Sequence, residues 1–505
     1  MILNKREIGK LTLLKYLSSQ NTPIHKDLIL SKFTISLSTL KRYMQAMNED
    51  LQAVEEFTQI RIIEAGGFHL ENPTPFNNQY VLRKMTYLYH QHSLQFRLFK
   101  EIFSNNLYSI HDLAASLSIS TPYLYKLFLE ANRFLKPFHI KIGYSATIDA
   151  ITLIGQNENI RLFETYFFWN VNQGMDWFFK NISVAKLSSY FTKREFRLIF
   201  NSSTAKQTKF LYSLAVIHQL YPVESKRLHL DEPLIGVLSE FKYVNDLSTP
   251  LVRLLKKSYP EIHDPQGLKS EALFFNFTSR LFSSYSDSKK TQIQIGKRLA
   301  QLTNELIDYC RRLIDALTLE YPKIRTSTSY KESRYRLFYF FSLYLINVRY
   351  IQFDSSYLQE FMFVNPAIQP NKSPLYEEGA QFFNRFLAEQ PLSEKGVLSP
   401  FHLSLAHGLI YYFLSQTMHT PITLYIQFSK NIFGHVYLHS QLYDLLGHEN
   451  ILIVEEIGEA DIIISDFYEN RYKNDNYFYF EDLTDPENWT NLFSFIHHFR
   501  LNHRK

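Results

Sequence analysis

The sequence predicts a multidomain, mainly α-helical chain that begins with two winged helix-turn-helix domains and ends in a small α/β domain. Three observations predict this fold. Short amphipathic helices followed by a hairpin occur twice before residue 156, the middle of the chain has helical periodicity, and strands alternate with helices after about Pro421. The expected boundaries are 1–72 and 73–156 for the winged domains, 157–288 and 289–417 for two helical bundles, and 418–505 for the α/β domain.

The first winged domain starts with a helix that places Ile8, Leu11, Leu14 and Leu17 on one face. A second helix follows the start signal Thr22-Pro23. The third helix carries an apolar stripe, and its members are Leu37, Leu40, Met44, Met47 and Leu51. We expect Ala65-Gly66-Gly67 to form the hairpin turn, because glycine accepts the positive φ that such turns require.

The second winged domain repeats this order between Leu94 and Gly155. After a first helix, Ser109 caps a short second helix that buries Leu113, Ala114 and Leu117. We expect Thr121 to cap the third helix, with Pro122 at its first position. Its inward residues are Leu124, Leu127, Phe128, Ala131 and Leu135. Strands around Ile140–Tyr144 and Ile148–Leu153 are expected to form the wing.

The exposed faces of the two third helices predict binding to double-stranded DNA, because a helix fits the major groove and hydroxyl, Lys and Arg groups hold phosphates. The alternative is that these are ordinary solvated helix faces. Candidate DNA-binding residues are Ser38, Thr39, Lys41, Arg42 and Gln45 in the first domain, and Ser120, Thr121, Tyr123 and Lys126 in the second.

Composition and charge limit the class of protein. The 15 glycines are few for an α/β enzyme with Gly-rich loops, and the single cysteine, Cys310, excludes a disulfide framework and a Cys-rich zinc site. No catalytic spacing stands out, so we expect no enzyme activity, metal or cofactor. The absence of a secretion signal and of a membrane-spanning apolar run indicates a cytoplasmic protein.

The net charge is +5, but the charged residues are unevenly distributed along the chain. Residues 1–155 carry 17 Lys and Arg against 12 Asp and Glu, whereas residues 421–505 carry 6 against 13. The middle is also basic, with 31 against 24. A basic front and an acidic tail indicate modules with different partners.

Histidines in the helical middle are candidate switches, because phosphorylation of an imidazole adds charge at one point. They are His218, His229 and His263 in the first half, and His402 and His407 in the second. An isolated histidine in a bundle is more often a hydrogen-bonded structural residue.

The second winged domain resembles the Mga and AtxA type of Gram-positive virulence and growth regulators, in the segment IHDLAASLSISTPYLYKLFLEANRFL and the following KPFHIKI. The resemblance extends to the order of domains. It implies two regulation domains controlled by the sugar phosphotransferase system, a tail similar to that system's IIB component, a homodimer, and promoter binding that activates transcription. It also implies histidine phosphorylation by phosphocarrier proteins, for which His218, His263 and His407 are the best matches.

The tail departs from an active IIB carrier, which needs a cysteine directly after its first strand. Gln427, Phe428 and Ser429 stand there instead, so the tail is expected to pair subunits. Other classes stay open as alternatives: an RNA-binding antiterminator with the same regulation domains, a non-catalytic phosphotransferase-system partner, and an enzyme or phosphocarrier. An antiterminator of that kind begins with an all-β domain, against which the helical pattern from Arg6 to Leu51 argues.

Overall fold

The structure is a computed structural model, and it is mainly helical, as predicted. The chain divides into two compact units, Met1–Ser286 with Tyr350–Ala367, and Asp287–Arg349 with Ile368–Lys505. The structure describes residues 3–20, 22–104, 108–172, 174–195, 204–244, 246–281, 287–326, 330–354, 356–357, 374–392, 398–417, 421–428, 434–448, 450–467, 476–480 and 482–502.

The first unit opens with three helices and a hairpin: α1 (Lys5–Ser18), α2 (Lys26–Phe33), α3 (Leu37–Gln52), β1 (Arg61–Glu64) and β2 (Phe68–Glu71). β1 and β2 are antiparallel, and Gly67 in their turn has a φ of 141°. A Cβ on Gly67 would lie 2.8 Å from the Ile24 carbonyl oxygen, so only glycine fits there. Leu37 is a correction to the expected apolar stripe, because this first residue of α3 is 39% exposed.

A helix that the sequence pattern did not predict, α4 (Asn78–His92), precedes the second set of elements and packs against α1. The second set comprises α5 (Leu94–Phe103), α6 (Ile110–Ser116), α7 (Thr121–Leu135), β3 (Ile140–Ser145) and β4 (Ala150–Gly155). All five expected inward residues of α7 are buried.

Two details of this second set correct the sequence-based expectations. The N-cap of α7 is Ser120, so Thr121 is the first helical residue and Pro122 the second. Both positions belong to the unpaired N–H groups of the first turn, where proline loses no hydrogen bond. The second wing strand begins at Ala150, because residues up to Asp149, which has a φ of 49°, form the turn.

The rest of the first unit is helical, from the long helix α8 that directly follows the wing to α13. The elements are α8 (Asn157–Asn172), α9 (Val184–Ser188), α10 (Thr204–Leu220), α11 (Glu232–Val244), α12 (Thr249–Ser258) and α13 (Pro265–Leu281). α10 packs on α8, and α13 packs on α11. Phenylalanines of α5 and α8, including Phe99, Phe163 and Phe167, form one contiguous aromatic core with short ring-to-ring distances.

In the second unit, α14 packs against α17, and α18 packs against α19. The helices are α14 (Lys289–Leu299), α15 (Glu305–Glu320), α16 (Lys323–Thr326), α17 (Tyr330–Ile346), α18 (Pro374–Glu389) and α19 (Pro400–Thr417). Cys310 is fully buried in α15, and burial raises the pKa of its thiol, which disfavours the reactive thiolate.

The C-terminal part of the second unit is a parallel sheet covered by helices. Its elements are β5 (Ile422–Gln427), α20 (Gly434–Leu446), β6 (Ile451–Ile453), β7 (Ile462–Ser465), β8 (Tyr477–Tyr479) and α21 (Pro486–Asn502). The strand order is β6-β5-β7-β8, and every pair is parallel. Leu438 and Leu442 of α20 and Leu492 of α21 complete the core of this sheet. The alternation of strands and helices is as predicted, with β8 added.

Several predicted features lie outside the described residues. They are most of the loop that follows β5 (429–433), part of the predicted break at 286–290, and most of the break at 366–374. Among the described residues, none of the helices is long and apolar enough to cross a membrane, and no group of three or more His, Cys, Asp or Glu side chains is arranged to hold a metal ion.

Candidate nucleic-acid interface

The two N-terminal sets of elements are copies of one structure, in which matching residues keep one constant separation from the second helix to the end of the third. The turn before the third helix contains a residue of positive φ in both copies, Thr34 at 51° and Ser118 at 59°. A serine is the N-cap of each third helix, Ser36 and Ser120. The buried pairs are Ile29 with Leu113, Leu40 with Leu124, Met44 with Phe128, Met47 with Ala131, and Leu51 with Leu135. Equal burial at matching positions means that α3 and α7 turn the same face outward.

An asparagine side chain joins each third helix to its hairpin. In α3, the Asn48 Nδ2 donates to the carbonyl oxygen of Ile62 at 3.0 Å, and the Ile62 N–H donates to Asn48 Oδ1 at 2.7 Å. In α7, Asn132 forms the same two bonds with Ile142, at 3.0 and 2.6 Å. The side chain therefore replaces a neighbouring strand, and it fixes the hairpin relative to the exposed face of the helix.

The hairpins have a second attachment that also repeats. Ile24 and Phe68 exchange two backbone hydrogen bonds, of 2.9 and 2.8 Å, in the first copy. In the second, the Ile151 N–H donates to the Tyr108 carbonyl at 3.0 Å. Each hairpin is thus held both by the segment before the second helix and by the third helix.

The exposed face of α3 holds the predicted residues of the first copy. Ser38, Lys41, Arg42 and Gln45 are exposed, and Thr39 is half-buried. Hydroxyl groups cluster at the start of the helix, where Ser36 Oγ lies 2.9 Å from Ser38 Oγ and donates to Thr39 Oγ1. The Gln45 Nε2 donates to Glu49 Oε1 at 3.0 Å, so its amide is already oriented along the helix.

The exposed face of α7 holds the predicted residues of the second copy together with others. Ser120, Tyr123 and Lys126 are exposed, and Thr121 is half-buried. Tyr125, Leu129 and Arg133 share this surface and were not predicted from the sequence. Pairing each residue of α7 with its counterpart in α3 is the signal that identifies them. Arg42 and Lys126 are counterparts, so each copy presents a cation at one and the same helical position.

Buried charges attach the second hairpin to the helical part of the first unit. Arg161 of α8 forms an ion pair with Glu271 of α13, and Arg161 also donates to the Lys226 carbonyl at 2.7 Å. The Lys226 ammonium donates to the carbonyl of Leu153 in β4. Burial lowers the pKa of Lys226, and burial raises the pKa of the neighbouring Glu164 to about 8 although both cations oppose this. The wing is therefore fixed to the helices that follow it.

Of the candidate switch histidines in the first unit, His218 is buried and the other two are accessible. His218 is only 6% exposed, its ring packs at an angle of 38° against the ring of Tyr259, and burial lowers the pKa of its imidazole to about 4. His263 is exposed, with Nδ1 at 2.9 Å from the Glu261 carbonyl oxygen. The His229 side chain is 50% exposed, and its Nε2 lies 3.2 Å from Asp264 Oδ2.

In the second unit, His407 is half-buried and its Nε2 lies 3.1 Å from Asn384 Oδ1. Burial lowers the pKa of His407. His402 is buried, with Nδ1 at 3.1 Å from Ser399 Oγ. A neutral imidazole can accept a phosphoryl group, but only an accessible one can receive it from another protein without local opening.

The second copy matches a known protein-domain family. Residues 78–168 match the family model described as the Mga helix-turn-helix domain, a range that runs from α4 into α8. Residues 78–168 are therefore similar to the Mga helix-turn-helix domain, and they are called the Mga domain below. The resemblance to Mga-type regulators predicted from the sequence is thereby confirmed. No curated protein matches the chain. The start of the match at residue 78 includes α4, so the Mga domain is larger than the winged set that begins at α5.

The two hydrogen bonds between Asn132 and Ile142, called the asparagine latch below, lead to the first prediction. Replacing Asn132 by Ala leaves the N–H and carbonyl of the buried Ile142 without partners, so we expect a loss of about 1–3 kcal/mol in the free energy of unfolding of this region. Hydrogen exchange at β3 and β4 should accelerate. Denaturant unfolding and peptide-resolved hydrogen exchange measure both effects.

Arg133→Ala is the matched control, because this neighbouring side chain is exposed and its loss should change stability by less than about 0.5 kcal/mol. Equal exchange rates at residues 140–155 in the two variants would show that the latch does not hold the hairpin.

Proposed function

We propose that the chain is a DNA-binding transcription regulator, and that both N-terminal copies contact duplex DNA through α3 and α7. The Mga helix-turn-helix domain supports a DNA-binding regulator. The proposal for both copies rests on one observation, the structural repeat. In this repeat α3 and α7 turn the same face outward, and each presents a cation, Arg42 or Lys126, at the same position of that face. The candidate contacts remain Ser38, Thr39, Lys41, Arg42 and Gln45, with Ser120, Thr121, Tyr123 and Lys126.

We further propose that the regulator is an activator of the Mga type, controlled through histidines of the helical region. Two helical regions of comparable length support the proposed pair of regulation domains, and most of each lies in a different compact unit, although Tyr350–Ala367 of the second region belongs to the first unit. Accessible histidines paired with Glu261, Asp264 or Asn384 offer sites for phosphorylation by phosphocarrier proteins. The direct link from Lys226 to β4 gives the first of these regions a route to the Mga domain.

The C-terminal sheet is proposed to pair two subunits. Its helix α20 exposes Val436, Tyr437 and Leu445, which are large apolar side chains on one element. The cysteine-free sequence after β5 supports a role in assembly and not in phosphoryl transfer. The alternative of an RNA-binding antiterminator receives no support from the N-terminal residues 5–52, which form three helices.

DNA binding is tested with the double variant Arg42→Ala/Lys126→Ala. Removing two phosphate contacts should weaken binding to unrelated duplexes alike, and it should reduce the slope of log affinity against log salt by about 1.8 per protomer. Titrations at several salt concentrations give this slope. The control Lys256→Ala/Lys269→Ala removes the same charge from exposed positions on α12 and α13. An unchanged slope in the first variant would exclude these two residues from the interface.

Phosphorylation is tested by incubating the full chain with the general phosphocarrier proteins and mapping the labelled peptides. We expect label at His263 and His407, because both imidazoles are accessible, and loss of each label in the corresponding His→Ala variant. His218 should be labelled only if α10 opens from Tyr259. Label on His218 in the folded chain, with none on His263, would contradict the expected site.

Dimerisation is tested by comparing the full chain with one that ends at residue 420. We expect the shortened chain to sediment as a monomer at concentrations at which the full chain is a dimer. Retained α-helical circular dichroism serves as the folding control. A dimer of the shortened chain would assign the subunit contact to the helical regions.

A further inference from the structure

The outward face of α7 is apolar at its centre. Pro122, Tyr125 and Leu129 follow one another at helical spacing, with Lys126 and Arg133 on the same stripe. Leu129 is 64% exposed and Tyr125 52%. Several large side chains exposed together on one helix, here Tyr123, Tyr125 and Leu129, indicate a contact surface, whereas a single exposed leucine would not.

The matching face of α3, in the first copy, is polar. Ser38, Lys41 and Gln45 of α3 are the counterparts of Pro122, Tyr125 and Leu129. Because the buried residues of the two helices match, the apolar stripe of α7 and the polar stripe of α3 occupy equivalent positions in the two copies. The difference therefore lies in the ligand group that each helix can contact, and not in the orientation of the helix.

Charge around the stripe favours a polyanion as the occupant. Lys126 and Arg133 lie beside Leu129, and in the part of the chain that the structure describes neither forms an ion pair. The counterpart of Arg133 in α3 is Glu49. The second copy thus combines cations, which hold phosphates, with a leucine, whose side chain cannot accept or donate hydrogen bonds to base edges.

We propose that Leu129, flanked by Tyr125, reads thymine in the major groove of duplex DNA. The C5-methyl of thymine is the apolar group that a base pair presents in that groove, and apolar side chains contact it. This inference rests on the proposed function and deepens it: α7 selects A·T-rich sequence by methyl contact, whereas α3 offers hydrogen-bonding groups. Leu129 is a specificity-determining residue for the second copy.

The test uses an A·T-rich duplex and the same duplex with uracil in place of thymine, which removes the methyl groups and keeps the base-pairing pattern. The unaltered chain should bind the uracil duplex more weakly, by roughly fourfold for each methyl group that Leu129 covers. Leu129→Ala should bind both duplexes equally, at about the affinity of the unaltered chain for the uracil duplex. Because Leu129 is exposed, this variant should keep the melting temperature of the unaltered chain.

Leu319→Ala is the matched control, because it truncates a similarly exposed leucine of α15, outside the proposed interface, and it should keep both the affinity for DNA and the preference for thymine. Equal binding of both duplexes by the unaltered chain would overturn thymine reading while DNA binding stands. Binding to neither duplex would overturn the proposed function as well. A preference for thymine that survives in Leu129→Ala, or a loss of self-association in that variant by sedimentation, would remove Leu129 from the groove and assign its face to another contact.

Discussion

The buried ion pair between Arg161 and Glu271 is the interaction on which the position of the Mga domain depends. Burying two charges costs several kcal/mol of desolvation per ion, so the pair persists only because further hydrogen bonds satisfy it. Arg161 donates to the Lys226 carbonyl, and Glu271 accepts the Leu228 N–H. The pair therefore orders the segment between α10 and α11 more than it adds stability, and that ordered segment presents the Lys226 ammonium to β4.

The short segment that contacts the wing through Lys226 also carries His229, one of the candidate switch histidines. Arg227, next to Lys226, lies 3.8 Å from the Asp264 carboxylate, which also accepts the His229 side chain at 3.2 Å. A negative charge added to His229 would oppose Asp264 and attract Arg227. Such a change would act on the residue adjacent to the one that holds β4. The proposed route from the helical region to the Mga domain would then need only residues that are neighbours in the sequence.

Periodicity and cap residues were enough to predict the three helices and the hairpin of each N-terminal copy, because these depend on local sequence, but they did not predict α4. They failed where two local signals compete, as at Ser120 and Thr121, which are both good caps ahead of Pro122. They also failed where the partner is distant: the Asn132 side chain finds the backbone of a hairpin, and the burial of His218 depends on Tyr259 of another helix. A short strand such as β8 has too few residues to show a period.

Comparing the two copies distinguishes the residues that maintain the fold from the exposed residues that are available to a ligand. Asn48 and Asn132 make the same hydrogen bonds to their hairpins, and the matching buried positions stay apolar even where the residue differs, as at Met47 and Ala131. Gln45 and Leu129 differ, although no packing constraint distinguishes these two exposed positions. The two copies share one fold, but their exposed residues change from polar to apolar. This outcome is expected when the two helices bind different groups. Under the proposed function, different groups on one duplex would favour two unequal half-sites, and the two copies would then define a direction along the DNA as well as a position.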